Sequence, residues 1–277
     1  MNSPVALNAR PPIAKSPFLG RRSIAIARNT FREAVRDRVL YNLILFVLLL
    51  IAGAIFLGEL SGGQERKIIV DLGLSTMLLF GVFISIFVGV GLVYKEIERR
   101  TVYAIFAKPV SRGEFMIGKY LGLCLTLLVN VAIMGAGISL ALLYVSRGWN
   151  PLVVTIWPAI LLIYVELTII TAVALLFSSF SSPALSALLT FFVFIIGHFS
   201  ADLKILASSM NSVTARWLFI GLYYVLPNLS NYSYITPAAH GQVAALVNVT
   251  LSIAYATIYS IVILATGTII LSKRNFK

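Results

Sequence analysis

The sequence predicts an all-α integral membrane protein with six transmembrane helices, and composition and hydropathy carry that prediction. Apolar residues make up 59% of the 277-residue chain, charged residues only 12%, and the mean hydropathy is +0.95. A soluble domain carries about 25% charged residues, so this chain has too little polar surface to cover itself. The apolar residues also fall in long runs, several of them long enough to cross a bilayer.

The chain begins with a polar, proline-bearing tail over residues 1–20, which we expect to be mobile. Residues 21–38 follow a helical pattern in which apolar residues recur at steps of three and four, and arginines fill much of the remainder. This pattern predicts an amphipathic helix lying along the cytoplasmic membrane surface. The alternative is a basic cluster that sets topology without fixed structure.

Six apolar runs follow and are separated by polar or turn-forming segments. The first of these separating segments, residues 59–71, leaves the membrane and contains a possible short strand at 67–70. Before the last run, residues 202–242 hold an apolar stretch that Pro227 ends after ten residues, too short to cross. We predict a short outer-face helical segment there, dipping into the membrane. The predicted spans are residues 39–58, 72–94, 120–145, 153–177, 184–201 and 243–271 of the membrane domain 39–271, followed by a basic tail at 272–277.

The distribution of lysine and arginine predicts the topology. With the amino terminus inside, seventeen of the 22 cations fall in cytoplasmic segments and five in outer ones. Because cytoplasmic loops are enriched in cations, this split predicts an even number of spans and cytoplasmic termini in a bacterial-type inner membrane. The net charge of +12 is then explained by topology and anionic lipid, with no nucleic acid as partner.

The longest charged interval lies between the second and third spans, at residues 95–119. Its apolar residues alternate with charge in a partly helical pattern, and Pro109 ends that helix. A charged loop is usually only a solvated face. Here the interleaved apolar residues and the proline favour a folded cytoplasmic element that docks onto a partner.

The motifs of common cofactor sites are absent or incomplete. Residues 113–120 match most of a phosphate-binding G-x-x-x-x-G-K loop, but Tyr120 replaces the magnesium-binding Ser or Thr, and no strand precedes the segment. We expect Lys119 to anchor the third span at the lipid headgroups instead. The single cysteine, Cys124, excludes an intrachain disulfide. The sequence therefore predicts a chain that is not itself an enzyme and binds no metal or other cofactor.

A few polar side chains lie inside the predicted spans. Glu166 is the one acid well inside a span, where burying a carboxylate is costly, so it is a candidate functional residue. A packing role through a hydrogen bond, for example to Asn130, is equally consistent with the sequence. His198, Asp202 and His240 contain metal-ligating groups, although an interfacial histidine with satisfied hydrogen bonds is the stronger interpretation.

The charged interval carries a family resemblance. Glu96–Lys119, E-I-E-R-R-T-V-Y-A-I-F-A-K-P-V-S-R-G-E-F-M-I-G-K, is similar to the E-x-x-x-x-T…L-A-x-P-V-S-R-x-x-x-x-x-G-K stretch of type-2 exporter permeases of ABC transporters. Leu226–Leu229, before the last span, is also similar, and the resemblance extends from about residue 20 to the end. Within the class, the chain resembles small permeases of copper-enzyme maturation systems, although its sequence offers no copper site.

The resemblance implies a role for each cytoplasmic segment. It makes 21–38 an elbow helix, 101–111 a coupling helix that fits a groove on a separate ATPase subunit, and 178–183 a smaller second contact. ATP and Mg²⁺ would be bound by that ATPase subunit, and a second permease copy, in a homodimer or a similar heterodimer, would complete the exporter. The residues expected to carry the coupling are Glu96, Glu98, Arg99, Arg100, Thr101, Lys108, Pro109, Ser111 and Arg112.

Two other functions are weighed against an ATP-driven permease. A stand-alone secondary transporter driven by an ion gradient would usually show inverted repeats and polar ion-binding residues at broken helices. The sequence shows no clear repeat and only the lone Glu166. An intramembrane hydrolase would need a catalytic pair, which the spans do not show.

Overall fold

The computed structural model describes residues 19–34, 45, 46, 49, 53, 64–98, 111–210 and 212–273, and within them all regular secondary structure is helical. The helices are α1 (Leu19–Ala34), α2 (Glu65–Phe83), α3 (Gly89–Glu98), α4 (Arg112–Val145), α5 (Leu152–Thr155), α6 (Trp157–Ser178), α7 (Pro183–His198), α8 (Ser200–Ser209), α9 (Val213–Val225), α10 (Ile235–Ala239) and α11 (Leu246–Lys273). A π-helical segment, Ile84–Val88, joins α2 to α3, and a 3₁₀ turn, Ser230–Tyr232, precedes α10.

Four helical stretches of the described chain are long and apolar enough to cross a membrane. A fifth is added if α7 and α8, which meet at a bend of 68°, form one broken span. The prediction of an all-α membrane protein is therefore confirmed, whereas the number six remains a prediction. The predicted first span, 39–58, lies outside the described residues except for positions 45, 46, 49 and 53. The four stretches are Glu65–Leu92, Arg112–Val145, Leu152–Ser178 and Leu246–Lys273.

Two helices begin earlier than the predicted spans. α2 begins at Glu65, so the possible strand at 67–70 is wrong. The β-branched residues there resemble a strand, but Val70, Leu74 and Met77 are buried at helical spacing, and that periodicity decides the structure. α4 begins at Arg112, within the interval that we predicted to be a loop, because a capping sequence stands directly before it.

α6 is the central helix of the described bundle. It packs against α2, α4, α7 and α11 and against the π-helical segment, and most of its residues are buried. A helix that is apolar on all sides is stable only when neighbours surround it, which is the position that α6 occupies. Side chains on α6 can therefore contact most of the other helices.

α11 contributes one narrow stripe to this bundle. Its buried residues recur at steps of three and four along the whole helix, whereas most of its other side chains, including Leu251, Ile258 and Val262, are exposed. The stripe packs on α6 and α4. The remaining surface of α11 is open to lipid or to another protein chain. The stripe consists of Val249, Ser252, Ala256, Ser260, Leu264, Gly267 and Leu271.

Candidate functional site

The first candidate region is the beginning of α4, where a capping box fixes the helix terminus. The Ser111 hydroxyl oxygen accepts a hydrogen bond from the Glu114 backbone N–H (3.1 Å), and the Glu114 carboxylate accepts one from the Ser111 N–H (2.7 Å). These two bonds satisfy backbone donors that a helix start otherwise leaves unpaired. The end of the predicted coupling loop is thereby held rigidly on α4.

Arg112 joins the beginning of α4 to the end of α11. Its guanidinium donates a hydrogen bond of 2.6 Å to the carbonyl of Leu271, which lies in the last turn of α11. The carbonyls of a last turn have no partner within their own helix and carry partial negative charge, so an arginine binds there favourably. A Cβ atom at Gly113, next to Arg112, would lie 3.7 Å from the Thr268 side chain near the same end of α11.

α1 packs directly on α4 over two glycines one turn apart. A Cβ atom at Gly118 would lie 2.7 Å from the Ile26 side chain, and one at Gly122 would lie 2.6 Å from the Ala27 carbonyl oxygen. A pair of glycines at this spacing lets two helix backbones approach closely. On the α1 side, the contact is made by the small, fully buried Thr30.

The structure also explains the phosphate-loop-like pattern at residues 113–120. Gly118 is part of the contact with α1, and the whole segment is helical. Lys119 is 1% exposed, and its ammonium lies 5.9 Å from the centre of the Phe115 ring. The expectation that Lys119 reaches the headgroups is therefore wrong, because its side chain is enclosed by the protein.

The remaining predicted coupling residues lie partly outside the described chain. Glu96 and Glu98 are in the last turn of α3. Arg99, Arg100, Thr101, Lys108 and Pro109 fall in 99–110, outside the described residues. Ser111 and Arg112 have the contacts given above, and whether any of the set docks on a partner stays a prediction.

The second candidate region lies inside the bundle, where α6 meets α7. Glu166 is 1% exposed, and one of its carboxylate oxygens lies 3.4 Å from Nε2 of His198. The two groups are within ion-pair distance, but their alignment falls short of a hydrogen bond. On its other ring nitrogen, His198 faces the carbonyl of Phe194 (3.3 Å). A buried acid thus contacts the last residue of a helix that breaks at that point.

The other polar residues singled out in the sequence make local contacts. Asn130 donates a hydrogen bond to the carbonyl of Thr126 within α4 (2.7 Å), and its own oxygen is buried without a hydrogen-bond partner among the described groups. His240 contacts the carbonyl of Thr236 (2.9 Å). Asp202 lies in the first turn of α8. Within the described residues, no group of three metal-ligating side chains is found.

The break between α7 and α8 is tied to the strap, which we define as residues 226–229. The Leu229 N–H donates to the carbonyl of Gly197 (3.0 Å). Asn228 accepts a hydrogen bond from the Ser200 hydroxyl (2.7 Å), and its backbone N–H donates to the Tyr255 hydroxyl on α11 (3.0 Å). A Cβ atom at Gly197 would lie 2.8 Å from the Leu229 side chain, so glycine allows this close approach.

Tyr232 fastens the chain beyond the strap. Its hydroxyl donates a hydrogen bond of 2.7 Å to the carbonyl of Ser252 on α11, and the side chain is almost fully buried. Burial raises the pKa of the Tyr232 phenol, so the hydroxyl keeps its proton and remains a donor. The sequence-based prediction for 202–242 did not identify this contact. The signal was a tyrosine close after the Leu226–Leu229 motif.

Two sequence comparisons relate the chain to known transport proteins. A sequence model of the family described as "ABC-2 family transporter protein" matches residues 24–276. The chain is also 27% identical, over 234 residues, to a protein of Pseudomonas aeruginosa named "Probable ABC transporter permease protein NosY". That alignment covers 80% of this chain and 85% of the relative.

Proposed function

The chain belongs to the ABC-2 transporter family and is an ABC transporter permease, and we propose that it couples ATP hydrolysis by a separate ATPase subunit to export. The observation that carries this proposal is the junction at the beginning of α4. There α1, α4 and the end of α11 meet immediately after the predicted coupling loop. A movement of that loop would therefore act at once on the first and the last helix that the structure describes.

The lengths of the helices support a lever at this position. α4 has 34 residues, which at about 1.5 Å per residue is a length of roughly 51 Å. The hydrocarbon core of a bilayer is about 30 Å thick, so α4 extends well beyond it. The capping box and the contact with α1 lie at the end that we assign to the cytoplasm. A rigid extension of this kind transmits a push on the loop into the membrane domain.

We propose that the ATPase subunit binds ATP and Mg²⁺ and that the permease binds neither. The pattern at residues 113–120, which most resembles a nucleotide-binding loop, is occupied by the packing of Gly118 on α1. Closure of two ATPase subunits would displace the coupling loops of two permease copies in an inner membrane. The exposed surface of α11 is available for the second copy and for lipid.

The coupling is tested by reversing two adjacent charges. Replacing Arg99 and Arg100 with Glu, in a complex purified with its ATPase from native membranes, should lower the permease-dependent stimulation of ATP hydrolysis roughly tenfold or more. Like charges placed across an interface cost several kcal/mol, and 1.4 kcal/mol is a factor of about ten. Arg66→Glu with Lys67→Glu is the matched control, since these adjacent, exposed residues lie at the predicted outer face.

The outcomes separate the coupled permease from its main rival. Unchanged stimulation in the Arg99 and Arg100 variant, with the chain still folded and bound to the ATPase, would refute the assignment of the coupling loop. A chain that purifies from native membranes without an ATPase and moves solute on an ion gradient alone would refute the proposed function itself. Failure of the control variant to retain stimulation would also contradict the proposed orientation.

A further inference from the structure

The two helices between the break and the strap form a hairpin with a tied base. α8 and α9 pack chiefly on each other. The chain enters this hairpin at Gly197–Ser200 and leaves it at the strap, and these two points are bonded to each other by the Leu229 and Asn228 contacts. Because its two ends lie at one place, the α8–α9 hairpin can rotate about that place as a rigid body. We call this place the hairpin base.

The hairpin base is bonded to α11 through Asn228 and Tyr255, and it meets the central helix α6 through a separate polar contact. His198, the last residue of α7, lies 3.4 Å from the Glu166 carboxylate on α6. α7 otherwise packs with small buried residues, Ser186, Thr190 and Gly197, which allow a close approach but fix no single position along the helix. Among the described residues, His198 is the group within ion-pair distance of the Glu166 carboxylate, so this contact is position-specific: moving His198 away removes that compensation from a buried acid.

The segment between α2 and α3 packs at the same place. The π-helical segment Ile84–Val88 packs against both α6 and α7, and Gly81, one turn before it, fits against Leu167 beside Glu166. Interruptions of this type occur frequently at functional sites, since the chain can shift its register there at low cost. α3 continues from this segment toward the predicted coupling loop. A packed path thus joins α3 to the hairpin base.

We propose that Glu166 and His198 are a positioning pair, a latch that holds the hairpin base on α6 and parts during the ATP-driven cycle. This inference rests on the proposed function, because the force that opens the latch arrives through α3 and the π-helical segment. With the latch closed, the strap seals the break between α7 and α8. With the latch open, the hairpin turns away from α6 and uncovers the buried side of the break.

The test measures how often the hairpin base opens. Ser200, which is fully buried, is replaced with Cys in a Cys124→Ala background, and the reaction rate with a membrane-impermeant maleimide is followed in the purified complex. Glu166→Gln, which keeps the shape of the side chain, should raise this rate about 2-fold to 10-fold without ATP, the range expected for one net polar contact. His198→Gln should do the same. The double variant should react no faster than either single one, because both remove one contact.

The second part of the test repeats the labelling with ATP present. Trp149→Cys, in an exposed turn, is the control position, and its labelling rate should not change. ATP should raise the labelling rate at position 200 in the chain with an intact latch and add little in Glu166→Gln. If Glu166→Gln and His198→Gln fold but are labelled at position 200 at the original rate, the proposed latch is refuted, whether or not ATP changes the rate. If Glu166→Gln raises the rate but ATP does not, the latch as a closed contact stands and the proposed ATP-driven function is what fails.

Discussion

The contact between α1 and α4 allows a sharp test of the cytoplasmic junction, because a single methyl group should break it. Gly122→Ala places a Cβ atom 2.6 Å from the Ala27 carbonyl oxygen and 2.6 Å from the Thr30 side chain. An ordinary contact needs 3.4 Å or more. Since one of the two obstacles is backbone, a rotamer change cannot relieve the overlap, and α1 has to move away as a whole.

The size of the effect follows from this displacement. Overpacking a close interface costs about 1–3 kcal/mol, and a gap of about 0.5–1 Å forfeits a quarter to a half of the dispersion attraction across it. A change of 1–3 kcal/mol shifts an equilibrium between docked and undocked α1 by about 5-fold to 150-fold. We expect the protein to remain folded, because the packing of α6 with α2, α7 and α11 does not involve α1.

The assay follows a buried reporter on α1. Ala34→Cys, at a position with no exposed surface, is introduced with Cys124→Ala, and the rate of maleimide labelling is measured in detergent or in vesicles. The matched control is Gly113→Ala on the same helix, where the added methyl would meet only Thr268 at an ordinary 3.7 Å. Equal labelling rates in Gly122→Ala and Gly113→Ala would refute the reasoning, since both carry the same substitution.

Two further predictions concern contacts between distant parts of the chain. Arg112→Gln should speed amide hydrogen exchange in the last turn of α11 several-fold. The charge-assisted hydrogen bond to the Leu271 carbonyl, typically worth about 1.5–3 kcal/mol, becomes a weaker neutral one. Exchange that stays at the original rate would show that the end of α11 does not depend on Arg112. Tyr232→Phe should lower the free energy of unfolding by about 0.5–1.5 kcal/mol through loss of the hydrogen bond to Ser252, measured as a lower thermal midpoint. Tyr224→Phe, at an exposed position, should leave that midpoint unchanged. Equal midpoints in the two variants would contradict the assigned contact.

The sequence predicts local features of this protein well. Hydropathy indicates the membrane class, and the Ser111–Glu114 pattern is a capping signal within the interval that we predicted to be a loop. These features depend on residues close together in the chain. The glycine-and-lysine pattern at 113–120 shows the limit of such reasoning, because the sequence argued against a nucleotide site there but did not identify α1 as the element that Gly118 contacts.

Contacts between distant segments could not be predicted from the residues alone. The sequence marked Glu166 as unusual and offered Asn130 as one partner, yet His198 is the residue that faces it. The choice is set by how α7 packs on α6, which depends on the small residues Ser186 and Thr190 and on the break that follows His198. A single sequence shows which polar groups need a partner but does not give the packing that brings the partner near.

The beginning of α4 makes several contacts with distant parts of the chain within a few residues. Ser111 and Glu114 fix the helix start, Arg112 binds the end of α11, and Gly118 and Gly122 receive α1. Each contact is made by a different residue or pair of residues with a different partner, so none can be replaced by another. The first and last described helices are thereby held at one point next to the segment that we assign to the ATPase. A displacement there must move all three helices together or break one of these contacts, and the Gly122→Ala and Arg112→Gln variants break them one at a time.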